Sequence, residues 1–405
     1  MSDLAQLEAR FGAGNYAPLP VTIVRGDGVY LWDETGRRYL DMMGAYSAVS
    51  FGHCHPRLVA ALTEQARRLD TISRAYFSDR LGPFLARACE LTGFDAALPM
   101  NSGAEAVETA LKAARKWAYR VKGIPSDRAE IIAAEGNFHG RTIAIVGFSS
   151  VAQHRDGFGP FPPGFKLIPF GDASALAAAI TPNTAAFLVE PIQGEGGINV
   201  PPPGYLAEVA RICRARNVLL LCDEIQSGLG RTGRLLACQH EGVVPDGVML
   251  GKALGGGLLP VSLFLARREL MQVFTPGDHG STFGGNPVAA AVGLAALDTL
   301  VDEHLVERAA IVGAHLLDRL ASIRNPIVRE VRGRGLFAGI EIDRDMASAG
   351  SVVRRLLQAG VLTKDTHRNT VRFAPPLIID EQQIDWAVGR LTEVLEQIAA
   401  SPADA

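Results

Sequence analysis

Through the middle of the chain, short runs of apolar and β-branched residues alternate with longer stretches whose apolar residues recur every three to four positions. Candidate strands lie at 97–100, 131–134, 187–190, 218–223, 248–251 and 261–266. Between the first two, residues 104–120 read as an amphipathic helix with Val107, Leu111, Ala114 and Trp117 on one face, opening directly behind Asn101-Ser102-Gly103. Another helix is expected to start at Asn286-Pro287, where Asn caps free amides and Pro suits the first helical position. This alternation is the signature of βα units around a mostly parallel sheet, so the fold class is α/β.

Toward the C-terminus the pattern becomes a compact α+β region: a strand over 335–342, a helix from Ser351, and an extended stretch over 370–373. The expected division is an N-terminal arm over 1–50 that packs with the small domain, a large domain over 51–288, and a small domain over 289–405. The proline-rich stretches 159–164 and 201–204 read as surface loops of the large domain.

Composition narrows the function classes. With 48% hydrophobic residues, 20% charged residues and a net charge of −3, the chain has ample core and no polyanion-binding surplus, so no nucleic-acid partner is expected. The pairs Arg67-Arg68 and Arg354-Arg355 fall on helical stretches and read as solvated faces. Residues 1–10 lack the apolar core of a secretory signal and the basic run of a transit peptide. Apolar runs such as 289–297 fall far short of the ~20 residues of a membrane span. Five cysteines scattered without CxxC spacing fit a reducing cytoplasm. The cluster His53-Cys54-His55-Pro56 invites a metal reading, but neighbours on an extended segment point apart and no second ligand cluster exists, so no metal is expected.

Two glycine patterns fail as nucleotide sites. Gly333-Arg334-Gly335-Leu336-Phe337-Ala338 leads into a strand and lacks the following helix, and the Gly247 to Lys252 stretch has Ala253 where a P-loop needs Ser or Thr. The stronger constellation is Asp223, with Gln226 behind it, and Lys252 at the end of the next candidate strand. A buried strand-end carboxylate is costly unless it meets a cation, which a protonated pyridine nitrogen supplies, and a lysine ending the neighbouring strand can reach a cofactor aldehyde. Carboxyl ends of parallel strands are where open α/β sheets bind ligands. Ser102, Gly103 and Ala104 open a helix and offer an anion site of backbone amides and a hydroxyl. Phe138, behind a candidate strand, is placed to stack on a flat ring.

Val189-Glu190-Pro191-Ile192-Gln193-Gly194-Glu195-Gly196-Gly197, Asp223-Glu224-Ile225-Gln226-Ser227-Gly228, Gly230-Arg231-Thr232-Gly233, Gly251-Lys252-Ala253-Leu254 and Gly280-Ser281-Thr282-Phe283-Gly284-Gly285-Asn286-Pro287 together resemble the signature of the class III (ω-)aminotransferases. The resemblance runs from Asn15-Tyr16 to Arg372-Phe373-Ala374-Pro375-Pro376. Within that class the chain is most similar to the ornithine-acting branch, at Tyr30-Leu31-Trp32-Asp33, Tyr46-Ser47-Ala48-Val49, Gly52-His53-Cys54-His55-Pro56 and Asp156-Gly157-Phe158-Gly159-Pro160-Phe161.

The resemblance implies a fold-type I homodimer that binds pyridoxal 5'-phosphate at sites shared between subunits. It implies transfer of the δ-amino group of L-ornithine to 2-oxoglutarate. By position, Lys252 is the covalent anchor and proton shuttle, Asp223 pairs with the pyridine nitrogen, and Gln226 lies near the ring hydroxyl. Ser102, Gly103 and Ala104 cradle the phosphate, which Thr282 reaches from the other subunit, and Phe138 stacks on the ring. Tyr16 and Tyr46 match ornithine-recognising tyrosines, Arg141 the arginine for the distal carboxylate of the oxo acid, Arg372 the one for its α-carboxylate, and Glu195 the gate paired with Arg372. Rival readings keep the fold with N-acetylornithine or 4-aminobutyrate as donor, which Tyr46 disfavours, or make the chain an aminomutase or racemase. One departure is His139, where that branch usually carries tryptophan.

Overall fold

The computed structural model describes residues 3–400, the Arg368 side chain excepted. Its centre is a seven-stranded sheet in the order Ala96–Met100, Ser262–Ala266, Gly247–Leu250, Leu219–Asp223, Thr184–Val189, Glu130–Ala134, Phe165–Ile168. Five consecutive strands of that order run parallel, and Ser262–Ala266 is antiparallel to both of its neighbours. Thr184–Val189 and Leu219–Asp223 are buried at every position, as near-continuous apolar runs are when both sheet faces are covered.

Side-chain alternation divides the core between those faces. Leu220 and Cys222 join one apolar cluster, whereas Leu219 and Leu221 join a second that holds Met249, Phe264 and the small-residue face of the helix Gly103–Trp117. That face presents Ala106, Val107, Ala110, Ala113, Ala114 and Trp117, and its alanines let the helix lie close against Gly247–Leu250 and Ser262–Ala266. The helix continues through one wider turn, Ala118–Lys122, and ends at Gly123 with φ +79°.

Two smaller sheets flank the centre. Val328–Arg334, Phe337–Ile342, Thr370–Phe373 and Lys364–Thr366 form an antiparallel sheet. Ile23–Asp27, Tyr30–Asp33 and Arg38–Asp41 form a meander whose last strand pairs in parallel with Val361–Leu362, tying the N-terminal arm to the C-terminal region. The sequence pattern predicts no strand for Phe165–Ile168 or for this meander, because each of these strands is only four or five residues long and interrupted or bounded by charged residues, too short for a period to show. Among the described residues, no helix is long and apolar enough to cross a membrane.

Candidate active site

Five connections leave the sheet at the carboxyl ends of the parallel strands, and each delivers a polar or aromatic group to one cavity of about 200 Å³. Gly103, Ala104, Phe138, His139, Glu190, Asp223, Gln226 and Lys252 are among its walls. The four groups predicted to hold the cofactor's ring and aldehyde, Phe138, Asp223, Gln226 and Lys252, are brought together there with Gly103 and Ala104.

Lys252 follows the strand Gly247–Leu250 and Gly251, and it opens a short 3-10 turn with φ +46°. A lysine in the left-handed region costs of order 1–3 kcal/mol, which persists only where surrounding structure enforces it. Burial pulls its pKa below that of an ordinary lysine, against the opposing charges of Glu195 and Asp223. A fraction of neutral amine is what a nucleophile and proton acceptor requires.

Asp223 ends its strand with Oδ2 2.7 Å from His139 Nδ1, and its Oδ1 accepts from Ile225 N–H at 3.1 Å. Both partners are buried. Burial disfavours a charged His139, but the hydrogen bond and charge of Asp223, with Glu190 beyond, outweigh it and raise the histidine's pKa. Glu190 ends the next strand over and accepts from Phe138 N–H at 2.9 Å and Gly194 N–H at 3.1 Å. Burial pushes its carboxyl up to about 7, opposed by His139 and reinforced by Asp223. Glu190 escaped the sequence reading although it ends a predicted strand just as Asp223 does; the same burial argument applied there finds it.

The helix Gly103–Trp117 is closed by a capping box. Ser102 Oγ accepts from Glu105 N–H at 3.2 Å, and the Glu105 carboxylate accepts from Ser102 N–H at 2.7 Å and Asn101 N–H at 3.1 Å. The Asn101 and Ser102 amides are thus occupied, while those of Gly103 and Ala104, in the first turn, have no intrahelical partner and remain for an anion. A Cβ at Gly103 would lie 2.9 Å from the end of the Ile225 side chain, so glycine lets the helix start approach the loop behind Asp223 without displacing that side chain. Ser102 itself is exposed at the rim.

Arg372, in the strand Thr370–Phe373, is 1% exposed and pairs with Glu195 through two hydrogen bonds, Nη1 to Oε1 at 2.7 Å and Nη2 to Oε2 at 2.9 Å. Burial pushes the Glu195 pKa up, but Arg372 and Lys252 more than reverse this and hold it below the usual value. Gln226 Nε2 also donates to Glu195 at 3.1 Å, and Gln226 Oε1 is buried with no partner, an acceptor awaiting a donor from the cavity. Tyr46 lies under Arg372, with the guanidinium 5.1 Å from its ring centre. It sits in a left-handed turn, Gly44–Ser47, whose amides at Met43 and Gly44 are held by Asp41 Oδ1 at 2.9 Å each.

Arg141 lies over Phe138, 5.7 Å from the ring centre, and among the described residues it forms no ion pair. Tyr16 is 73% exposed, near enough to Tyr46 to influence its ionisation. Thr282 is exposed and does not line this chain's own cavity. Its loop is moored by Asn101 Nδ2 donating to Ser281 Oγ at 2.7 Å. His53 and His55 face separate carboxylates, Asp41 at 2.8 Å and Glu303 at 3.2 Å.

A cation-seeking carboxylate at one wall, free helix amides at another, an aromatic face, an unmet buried acceptor and a lysine whose pKa burial lowers fit a flat ring bearing a protonated nitrogen, a hydroxyl, an aldehyde and a phosphate. The family model for aminotransferase class-III matches residues 11–395. The ornithine aminotransferase of Geobacillus sp. (strain WCH70) is 53% identical over 393 residues, 97% of this chain and 98% of that one. The crystal structure of the ornithine aminotransferase from Toxoplasma gondii ME49 superimposes with a TM-score of 0.96 at 46% identity, covering 98% of this chain and 95% of that one. The acetylornithine aminotransferase from Elizabethkingia anophelis gives a TM-score of 0.88 at 44% identity, covering 97% and 98%.

Proposed function

The chain belongs to the class-III aminotransferases, and from that premise we propose that it is an ornithine δ-aminotransferase that passes the δ-amino group of L-ornithine to 2-oxoglutarate. Pyridoxal 5'-phosphate is its cofactor, and when bound it supplies the electron sink and carries the amino group between the two substrates. The observation that carries the substrate reading is the Glu195–Arg372 pair beside Tyr46. A site that takes a δ-amine with no carboxylate near the ring, and then an oxo acid with one, needs a guanidinium that is covered in the first case and free in the second.

Lys252 holds the cofactor and moves the proton at the amine-bearing carbon. Asp223, positioned by His139, faces the ring nitrogen and keeps its proton. Gln226 Oε1 takes the ring hydroxyl, Phe138 covers one face, and the Gly103 and Ala104 amides with the Ser102 rim hold the phosphate. Tyr16 and Tyr46 bind ornithine's α-amino acid end. Arg141, lacking an ion-pair partner among the described residues, takes the distal carboxylate of 2-oxoglutarate while Arg372 takes the α-carboxylate. The first product, glutamate 5-semialdehyde, cyclises to pyrroline-5-carboxylate.

The working unit is a homodimer with Thr282 reaching the partner's phosphate. Its support is an exposed apolar patch: Phe77 is fully exposed, Tyr76 68% and Phe283 56%, and the two segments are linked by Arg74 Nη1 donating to Gly284 O at 3.4 Å. The large domain over 51–288 holds the cofactor, and the arm and small domain cover the substrate side. A cytoplasmic location fits the free cysteines.

The likeness to an acetylornithine aminotransferase keeps N-acetylornithine as the second reading. Assaying ornithine, N-acetylornithine and 4-aminobutyrate, each with 2-oxoglutarate, and trapping pyrroline-5-carboxylate tests the choice. Preference for ornithine with trapped product is expected; preference for either other donor overturns it. Sedimentation of the purified protein as a monomer at micromolar concentration would overturn the dimer.

A further inference from the structure

His154 belongs to a short helix, Ala152–Arg155, that no sequence motif singles out. Its ring meets the edge of Phe138 at 6.1 Å and that of His367 at 6.4 Å, so it shares with Arg141 the same aromatic plate at the cavity mouth. Three cationic or potentially cationic groups from three separate segments thus surround one opening, in a chain whose overall charge is −3. His154 Nδ1 lies 3.3 Å from Ser149 Oγ. That hydroxyl also accepts from Val151 N–H at 3.2 Å and keeps its proton and a second lone pair, so it can serve Nδ1 of the neutral ring or of the imidazolium.

We propose that His154 is a specificity-determining residue for the oxo-acid half-reaction: neutral in the ligand-free site, it takes up a proton when a dicarboxylate docks its distal carboxylate on Arg141. The inference rests on the reading of Arg141 as the distal-carboxylate residue.

The charges facing His154 are Arg141 on the loop behind Phe138, His367 on the turn His367–Asn369, and Glu195 on the loop before Asn199; on its own helix, Arg155 is turned over Phe161. In the ligand-free site burial lowers the pKa of His154, and Arg141 and His367 lower it further, against Glu195. A carboxylate on Arg141 cancels the largest of these repulsions and adds an attraction, so the bound state holds the imidazolium at a pH where the free state does not. Ornithine's α-carboxylate comes with its own α-ammonium, so the end of ornithine remote from the ring carries no net negative charge and does not draw a proton to His154 as the bare distal carboxylate of the oxo acid does. By linkage, the oxo acid binds more tightly as pH falls through the interval between the free and bound pKa values, while ornithine does not.

The test is calorimetric titration of glutarate, a five-carbon dicarboxylate without an oxo group, into the holoenzyme near neutral pH in two buffers of different ionisation enthalpy. Net proton uptake is expected in the wild type, lost in His154→Gln and retained in His367→Gln. In steady state, the KM for 2-oxoglutarate is expected to rise roughly three- to tenfold from about pH 6 to about pH 8 in the wild type and to stay flat in His154→Gln. The single-turnover rate with ornithine is expected to be unchanged by the substitution. No uptake in the wild type, equal uptake in His154→Gln, or loss of uptake in His367→Gln alone overturns the proposal. Failure of ornithine turnover alongside intact, His154-dependent uptake would sink the substrate reading and leave this inference standing.

Discussion

The guanidinium of Arg372 and the carboxylate of Glu195 meet as two parallel hydrogen bonds of 2.7 and 2.9 Å across 177 residues of sequence. Because Arg372 is 1% exposed, removing its partner leaves a buried cation that only an incoming carboxylate can satisfy. Glu195→Ala is therefore expected to raise the efficiency of glutamate relative to ornithine as amino donor by roughly tenfold or more, each ~1.4 kcal/mol of differential binding counting for one factor of ten. Single-turnover absorbance changes with each donor measure the ratio. An unchanged ratio means that Glu195 is not the gate.

Lys252→Ala removes the covalent anchor and the proton acceptor together. Turnover is expected to fall by roughly 10²- to 10⁴-fold or more, with loss of the visible absorbance of the cofactor-bound protein. Wild-type activity in a purified Lys252→Ala sample would sink the assignment.

Tyr46 combines a hydroxyl with a ring packed under Arg372, 5.1 Å away, so two substitutions separate its parts. Tyr46→Phe keeps the ring and is expected to lower ornithine kcat/KM by about tenfold while sparing 4-aminobutyrate, because the lost hydroxyl serves only the donor with a polar α end. Tyr46→Ile also uncovers Arg372 and should cost ornithine more, with 4-aminobutyrate less affected or improved. Equal losses for both donors in both variants would reduce Tyr46 to packing.

What the sequence disclosed follows from where each constraint resides. Asp223 and Lys252 were legible because a charged residue closing a buried apolar run is costly without a partner, and both runs were visible. Glu190 satisfies the same condition but reads as part of a loop motif. The gate was legible only through family resemblance, since nothing local to Glu195 or Arg372 announces a contact so remote in sequence. The turn at Ala45, Tyr46 and Ser47, with φ of 46°, 59° and 72°, was hidden because none of these residue types favours positive φ; Asp41 and the tertiary contacts impose it. His154 was silent for the same reason: its neighbours Arg141 and His367 reach it through the fold.

His139 Nδ1 donates to Asp223 Oδ2 at 2.7 Å with both side chains buried, and this fixes the carboxylate that faces the ring nitrogen. His139→Phe keeps a flat ring but removes the hydrogen bond. Cofactor affinity and kcat are expected to fall by roughly tenfold or more, and His139→Asn, which restores a donor, is expected to recover part of the loss. Equal defects in the two variants would assign His139 to packing alone.

The buried pair of Glu190 and His139 also sets a pH dependence of stability. Glu190 is held up to about 7 and His139 is raised above its ordinary value, so each binds its proton more tightly folded than unfolded. For Glu190, the folded chain keeps a proton that the unfolded chain releases near 4.5, and stability falls as pH rises from there toward 7. His139 contributes in the same direction: its stabilisation is full below the unfolded histidine value and is lost as pH rises through the folded one. The cofactor-free protein is therefore expected to lose stability between about pH 5 and about pH 8. Glu190→Gln cannot titrate and leaves one of the Phe138 and Gly194 amides without an acceptor, so its absolute stability can shift either way, but its slope must flatten. Denaturant unfolding at both pH values should show the variant losing about 2–3 kcal/mol less than the wild type over this span. Identical slopes would mean that Glu190 is ionised in the folded protein throughout, with His139 as its permanent counter-charge.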